Sequence, residues 1–168
     1  MNLSHFLRAC PIFESLTSSD LQVLDQAMMV QRYPNGHEFM REGERGGTMY
    51  VIVEGTVLVT QKNVAAEDFD VIHVMKAGDV FGLIALIDHD KRSATCTAAS
   101  EVTVASLPNS AFQLLYHANA PIAQHFQYCI ARQLAHDARN LSELLVSALH
   151  GASQQREALL QSVSYEYR

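Results

Sequence analysis

The chain has 168 residues, 48% of them apolar, and carries 18 acidic against 12 basic side chains. That is enough apolar material to bury one real core, which excludes a disordered chain. The acidic balance, with Lys91-Arg92 as the single basic pair, excludes the clustered Lys and Arg that grip nucleic acid phosphates.

The start, MNLSHFLRACPIF, has no sustained apolar run, so it does not read as an export signal. The longest nearly pure apolar stretch, Val80 to Ile87, has eight residues, against the roughly 20 that cross a bilayer. A cytoplasmic protein without a membrane or direct nucleic-acid partner is expected. Cys10, Cys96 and Cys129 are far apart and form no C-x-x-C pair, so all three are read as small buried side chains.

Residues 1–30 are expected to hold N-terminal helices. Thr17-Ser18-Ser19-Asp20 caps an amphipathic stretch whose Leu21, Leu24 and Met28 share one face. Residues 31–107 read as β structure, because seven of the eight glycines lie between 36 and 82 among β-branched and aromatic residues. The runs MYVIV (49–53), TVLVT (56–60), DVIHVM (70–75), SATCTAA (93–99) and VTVASL (102–107) are separated by turn residues. Their spacing favours a sandwich or barrel, and no connection is long enough for a crossover helix, so the pairing is expected to be antiparallel.

After Pro108, Asn109 or Ser110 can cap a short helix over 111–117, and Asn119 a longer one that meets no breaker until Gly151. Along it Ile130, Leu134, Ala138, Leu141, Leu145 and Ala148 recur at spacings of four and three, the stripe of a helix that meets another helix. A homodimer through residues 120–150 is expected, with packing on the chain's own barrel as the competing reading. Residues 151–168 form a tail with no site.

The chemistry concentrates in Gly78-Asp79-Val80-Phe81-Gly82-Leu83-Ile84-Ala85-Leu86-Ile87 and the following Asp88-His89-Asp90-Lys91-Arg92-Ser93-Ala94-Thr95. A strand ends at a glycine, a short apolar turn begins with free backbone N–H groups, and a guanidinium follows ten residues after Gly82. Such N–H groups accept phosphate oxygens and an arginine supplies the countercharge with a bidentate fork, which together describe an anion cup. The competing reading is a plain hairpin whose Arg92 faces solvent or meets Asp79, Asp88 or Asp90.

The run FGLIALIDHDKRSAT resembles the phosphate-binding cassette of cyclic-nucleotide-binding domains, F-G-E-L-A-L followed by a short loop and P-R-A-A-T. PNGHEFMREGERGGTMYVIVEGTVLV is similar to that family's upstream pattern of spaced glycines, and the resemblance covers roughly residues 10–150. It implies a mainly β fold with flanking helices: an eight-stranded, cupin-like jelly roll followed by a long dimerisation helix. Gly82, Leu83, Ile84, Ala85, Arg92 and Ser93 fall on the cassette positions. Gly82, Ile84 and Ala85 match those whose backbone cradles the cyclic phosphate, and Arg92 matches the arginine that neutralises it.

Two positions depart from the pattern. Lys91 replaces the usual proline, and Leu83 stands where the family's glutamate accepts a hydrogen bond from the ribose 2′-hydroxyl. Losing a bond to a charged group costs about 1.5–3 kcal/mol, and leaving the hydroxyl unsatisfied adds about 1–3 kcal/mol. Ordinary cAMP affinity is therefore expected to fall by about two orders of magnitude or more. Three outcomes remain open: another phosphate-bearing ligand, weak cyclic-nucleotide binding, or a vacant pocket in a dimeric interaction module.

The catabolite-activator and Fnr-like regulators of this family add a DNA-reading domain after the dimer helix. The 17 residues after Gly151 carry only Arg156 and Arg168 as basic groups. The signal is therefore expected to leave through an effector protein, unless the sequence is part of such a regulator. No H-x-H or G-x-S-x-G motif occurs among the residues, so neither a metal site nor catalysis is expected, and no cofactor is required.

Overall fold

The N-terminal boundaries follow from capping chemistry. Asn2 accepts a hydrogen bond from the His5 backbone N–H and starts α1 (Leu3–Ala9), and Pro11 opens a single 3-10 turn, Pro11–Phe13. Thr17 heads α2 (Ser18–Ala27) with a full capping box. Its hydroxyl oxygen accepts from the Asp20 N–H at 3.2 Å, while the Asp20 carboxylate accepts from the Thr17 N–H at 3.0 Å. Leu21, Leu24 and Met28 are buried, as their shared face requires.

The structure, a computed structural model, describes all residues except Met1, 64–67, 85–89, 119 and 166–168. Its strands are β1 (Met29–Tyr33), β2 (Glu38–Met40), β3 (Thr48–Glu54), β4 (Thr56–Asn63), β5 (Asp68–Lys76), β6 (Val80–Phe81), β7 (Thr95–Ala98) and β8 (Val102–Pro108). They form two four-stranded sheets, ordered β1-β8-β3-β6 and β2-β7-β4-β5, and the paired strands run antiparallel. Eight strands, as expected for the roll, are present among the described residues. The run at 93–99 is a strand only from Thr95, because the Arg92 backbone is engaged elsewhere: its N–H donates to the Glu44 carbonyl and its carbonyl accepts from the Gly43 N–H.

Alternate residues of the strands meet between the sheets. Ile52, Val57, Phe81, Cys96, Ala98, Val102 and Val104 form this core, with Tyr33, Phe39, Met40 and Tyr50 packed against it. All three cysteines are buried, and burial pushes the Cys10 and Cys96 thiols up to about 11. At neutral pH both stay protonated and inert.

Helix α3 (Asn109–Ala118) starts directly from the last residue of β8. Asn109 is its first helical residue rather than a cap outside it, and the Asn109 N–H donates to the Gly47 carbonyl. Helix α4 (Ala120–Tyr165) runs through Gly151, where the sequence pattern places a break. An interior glycine costs a helix about 1 kcal/mol but keeps its N–H, so it weakens the helix without ending it.

The chain divides into two compact units, 1–129 and 130–168. Within the first, the opening turns of α4 are anchored to the N-terminal segment. Phe126 lies 6.0 Å from Phe13 and 5.4 Å from Phe112 between ring centroids, and Ser15 Oγ is 3.2 Å from Cys129 Sγ. His125 Nδ1 lies 2.9 Å from the Asp20 carboxylate. Burial by itself would raise the Asp20 carboxyl, but hydrogen bonds from the Thr17 hydroxyl, His125 and the Thr17 backbone outweigh it and hold it below the usual carboxylate range. The second unit is helical, and its Leu141, Leu145, Val146 and Leu149 are exposed.

Candidate functional site

The cassette segment is delivered by a short turn pinned to β3. The Gly78 N–H donates to the Ile52 carbonyl at 2.8 Å, and the Ile52 N–H donates back to the Asp79 carbonyl at 2.9 Å. This clamp sets β6 against β3 with Tyr50 opposite Phe81 and Val51 opposite Val80. The next residue, Gly82, then reaches the start of β3. A side chain at Gly82 would have its Cβ 2.5 Å from the Thr48 carbonyl oxygen, so the close approach of the two backbones requires glycine.

Arg92 arrives from the other side of the segment. Its backbone exchanges hydrogen bonds with Gly43 and Glu44, and an isolated bridge pairs Lys91 with Arg45. The side chain turns inward: only 7% of the residue is exposed. Its Nη1 donates to the Gly82 carbonyl at 3.0 Å and its Nη2 donates to the Thr48 carbonyl at 2.9 Å. The solvent-facing arginine of the plain hairpin is thereby overturned. Asp79, one of the three carboxylates in that reading, accepts from the Lys76 N–H, and Asp88 lies outside the described residues.

The charge is felt by its neighbours. Burial, with a smaller push from Tyr33, raises the Tyr50 phenol above its usual range, while Arg92 and a hydrogen bond with Thr48 pull it down. Burial likewise outweighs the pull of Arg92 on Cys96. Tyr50 stacks on Phe81 with ring centroids 4.9 Å apart, and Phe39 packs 5.4 Å from each. The guanidinium itself is kept out of water, where a hydrogen bond or ion pair is stronger than in solvent.

The expected cassette residues are brought together in part. Gly82 and Arg92 are in contact, Leu83 is buried and Ile84 is half exposed. Ala85 lies outside the described residues. Ser93 is exposed, and its carbonyl accepts from Gln61 of β4 at 3.1 Å. Sequence reading did not single out Thr48 and Gly46. Thr48 acts through its backbone carbonyl, which leaves no residue-type signal, whereas Gly46 is one of the seven glycines between 36 and 82, whose density marks β structure without marking one position. Among the described residues no group of three or more His, Cys, Asp or Glu side chains is placed to hold a metal ion, and no helix is long and apolar enough to cross a membrane.

With this geometry in place, the chain can be set beside known proteins. The model of the cyclic nucleotide-binding domain family matches residues 30–119. The cyclic nucleotide-gated potassium channel of Rhizobium etli is 38% identical over 116 residues, which are 69% of this chain and 31% of the channel. The CRP-like cAMP-activated global transcriptional regulator of Mycobacterium tuberculosis is 24% identical over 149 residues, 89% of this chain and 66% of that protein. This chain thus spans under a third of the channel and about two thirds of the regulator. Among solved structures, a cyclic nucleotide-binding domain from Methylobacillus flagellatus superposes with a TM-score of 0.73 at 20% identity, covering 83% of this chain and 78% of that one. That likeness is one of fold.

Proposed function

This chain belongs to the cyclic nucleotide-binding domain family, and from that premise we propose that it is a non-catalytic sensor domain whose pocket holds a phosphate-bearing ligand at Arg92. The observation that carries the reading is the buried Arg92 guanidinium fastened to the carbonyl of Gly82, the glycine of the cassette run. A guanidinium kept out of water at that place favours an anion, because little solvent competes for its charge. The channel and the regulator are both named for cyclic nucleotides, which supports a ligand of that class.

Ribose recognition is altered in this reading. Leu83 is buried and offers no oxygen acceptor to a 2′-hydroxyl, so cAMP binds weakly and a ligand that does not depend on that contact binds better. The buried leucine also favours a second reading, a vacant pocket in a pure interaction module. The test is a thermal-shift and calorimetric panel of cAMP, cGMP, cyclic dinucleotides and linear nucleotides. Leu83→Glu should tighten cAMP binding by about 100-fold or more, and Arg92→Ala should abolish whatever binding the native protein shows. A native protein that no member of the panel stabilises supports the interaction module. Ligand binding untouched by Arg92→Ala sinks the anion site.

The output surface in this proposal is α4, through which two copies pair. Leu141, Leu145 and Leu149 follow one another at intervals of four residues and are 56–67% exposed, an apolar stripe that a second copy would cover. Sedimentation equilibrium of the native protein should give a dimer, and Leu145→Lys should shift it toward monomer. The signal then passes to an effector protein.

A further inference from the structure

Arginine has a long, flexible side chain, and a guanidinium that recognises an anion must be held in one orientation before the ligand arrives. Two acceptors that can hold it are already in place, the Gly82 and Thr48 carbonyls at 3.0 and 2.9 Å. The backbone end of the side chain is fixed by the paired hydrogen bonds to Gly43 and Glu44. Between these fixed ends the side chain passes over Gly46. A Cβ built there would lie 2.9 Å from Nε, 2.9 Å from Nη2 and 3.3 Å from Cζ of Arg92.

We infer that Gly46 is a positioning residue for the ligand site: its missing side chain is the space in which the Arg92 guanidinium lies while the Gly82 and Thr48 carbonyls hold it. The inference deepens the sensor reading and rests on it for the ligand. The geometry separates Gly46 from the other glycine near Arg92. At Gly82 a Cβ would strike the Thr48 backbone at 2.5 Å, so a side chain there disturbs the sheet itself. At Gly46 the nearest heavy atoms all belong to the far end of Arg92, which can swing away. Gly46→Ala therefore displaces the guanidinium from its acceptors and leaves the backbone in place.

Two measurements test this. In the native protein, nitrogen-15 spectra should resolve separate Nη signals for Arg92, because two carbonyl hydrogen bonds slow rotation of the guanidinium. Gly46→Ala should collapse them to the averaged signal of an exposed arginine such as Arg41. In calorimetric titrations with cAMP, Gly46→Ala should weaken binding about tenfold, the loss of one good hydrogen bond to a charged group. It should add little further loss in an Arg92→Lys background, since lysine has no Nη atoms and no planar fork to be held between the two carbonyls, and this non-additivity marks positioning as opposed to general destabilisation.

Arg92 signals that stay resolved in Gly46→Ala overturn the inference, as does an equal loss of cAMP affinity in the native and Arg92→Lys backgrounds. The sensor reading fails on a different result, cAMP affinity that Arg92→Ala does not change. The spectra need no ligand, so they decide the role of Gly46 even if the native protein ignores cAMP.

Discussion

Strands β3 and β5 are built from similar residues and meet opposite fates. The first, TMYVIVE, has Met49, Val51 and Ile52 fully buried; the second, DFDVIHVMK, leaves Phe69, Val71, Ile72 and Val74 between 53% and 61% exposed. The difference is position. β3 lies between β8 and β6, whereas β5 is the edge of the other sheet and pairs with β4 alone among the described strands. A strand's apolar content sets how much it can bury; its place in the sheet sets how much it does bury.

Four substitutions would break or sharpen this contrast, each read as a change in the urea midpoint. Ile52→Ala opens a cavity at a fully buried site and should cost about 2–5 kcal/mol. Next comes Gly55→Ala, in the turn after β3. Its Cβ would sit 2.3 Å from the Glu101 carbonyl oxygen at a φ of 94°, and the strain and overpacking should together cost about 2–3 kcal/mol. Gly78, in the turn after β5, has the same φ of 94°, but an added methyl group would meet nothing within 4 Å, so Gly78→Ala should cost only the backbone strain, about 1 kcal/mol. Ile72→Ala, at a half-exposed place on β5, should stay within about 0.5 kcal/mol. A cost at Ile72 equal to that at Ile52 would mean that β5 is covered in solution, and the contrast would collapse.

The long strands were legible because alternation and turn residues bracket them: the runs at 49–53, 56–60, 70–75 and 102–107 lie within β3, β4, β5 and β8. β1, β2 and β6 were not read from pattern. The last two have three and two residues, too few to show a period, and β1 has four exposed residues out of five. The capping box at Thr17 was legible because its signal lies within four residues. The pairing of Asp20 with His125 was not, since 105 residues separate them and each alone reads as an ordinary surface side chain.

The candidate site divides in the same way. Its glycine and arginine stand ten residues apart in a recognisable run, and Leu83 is visible as the residue without an acceptor. The acceptors that hold Arg92 belong to the backbone, and one of them comes from 44 residues upstream. No side-chain pattern encodes a carbonyl.

The order of residues alone determined the strand-rich middle, the helical flanks, the family resemblance and the chemistry available at Gly82, Leu83 and Arg92, because periodicity, capping and side-chain type are local properties. Only the folded chain decided that Arg92 is buried instead of solvated, that Gly46 makes room for it, and that β5 stands at an edge while β3 lies inside its sheet. Those outcomes depend on which distant backbones come within hydrogen-bond reach. That distance is set by the packing of the two sheets, to which every strand contributes and which no single segment specifies.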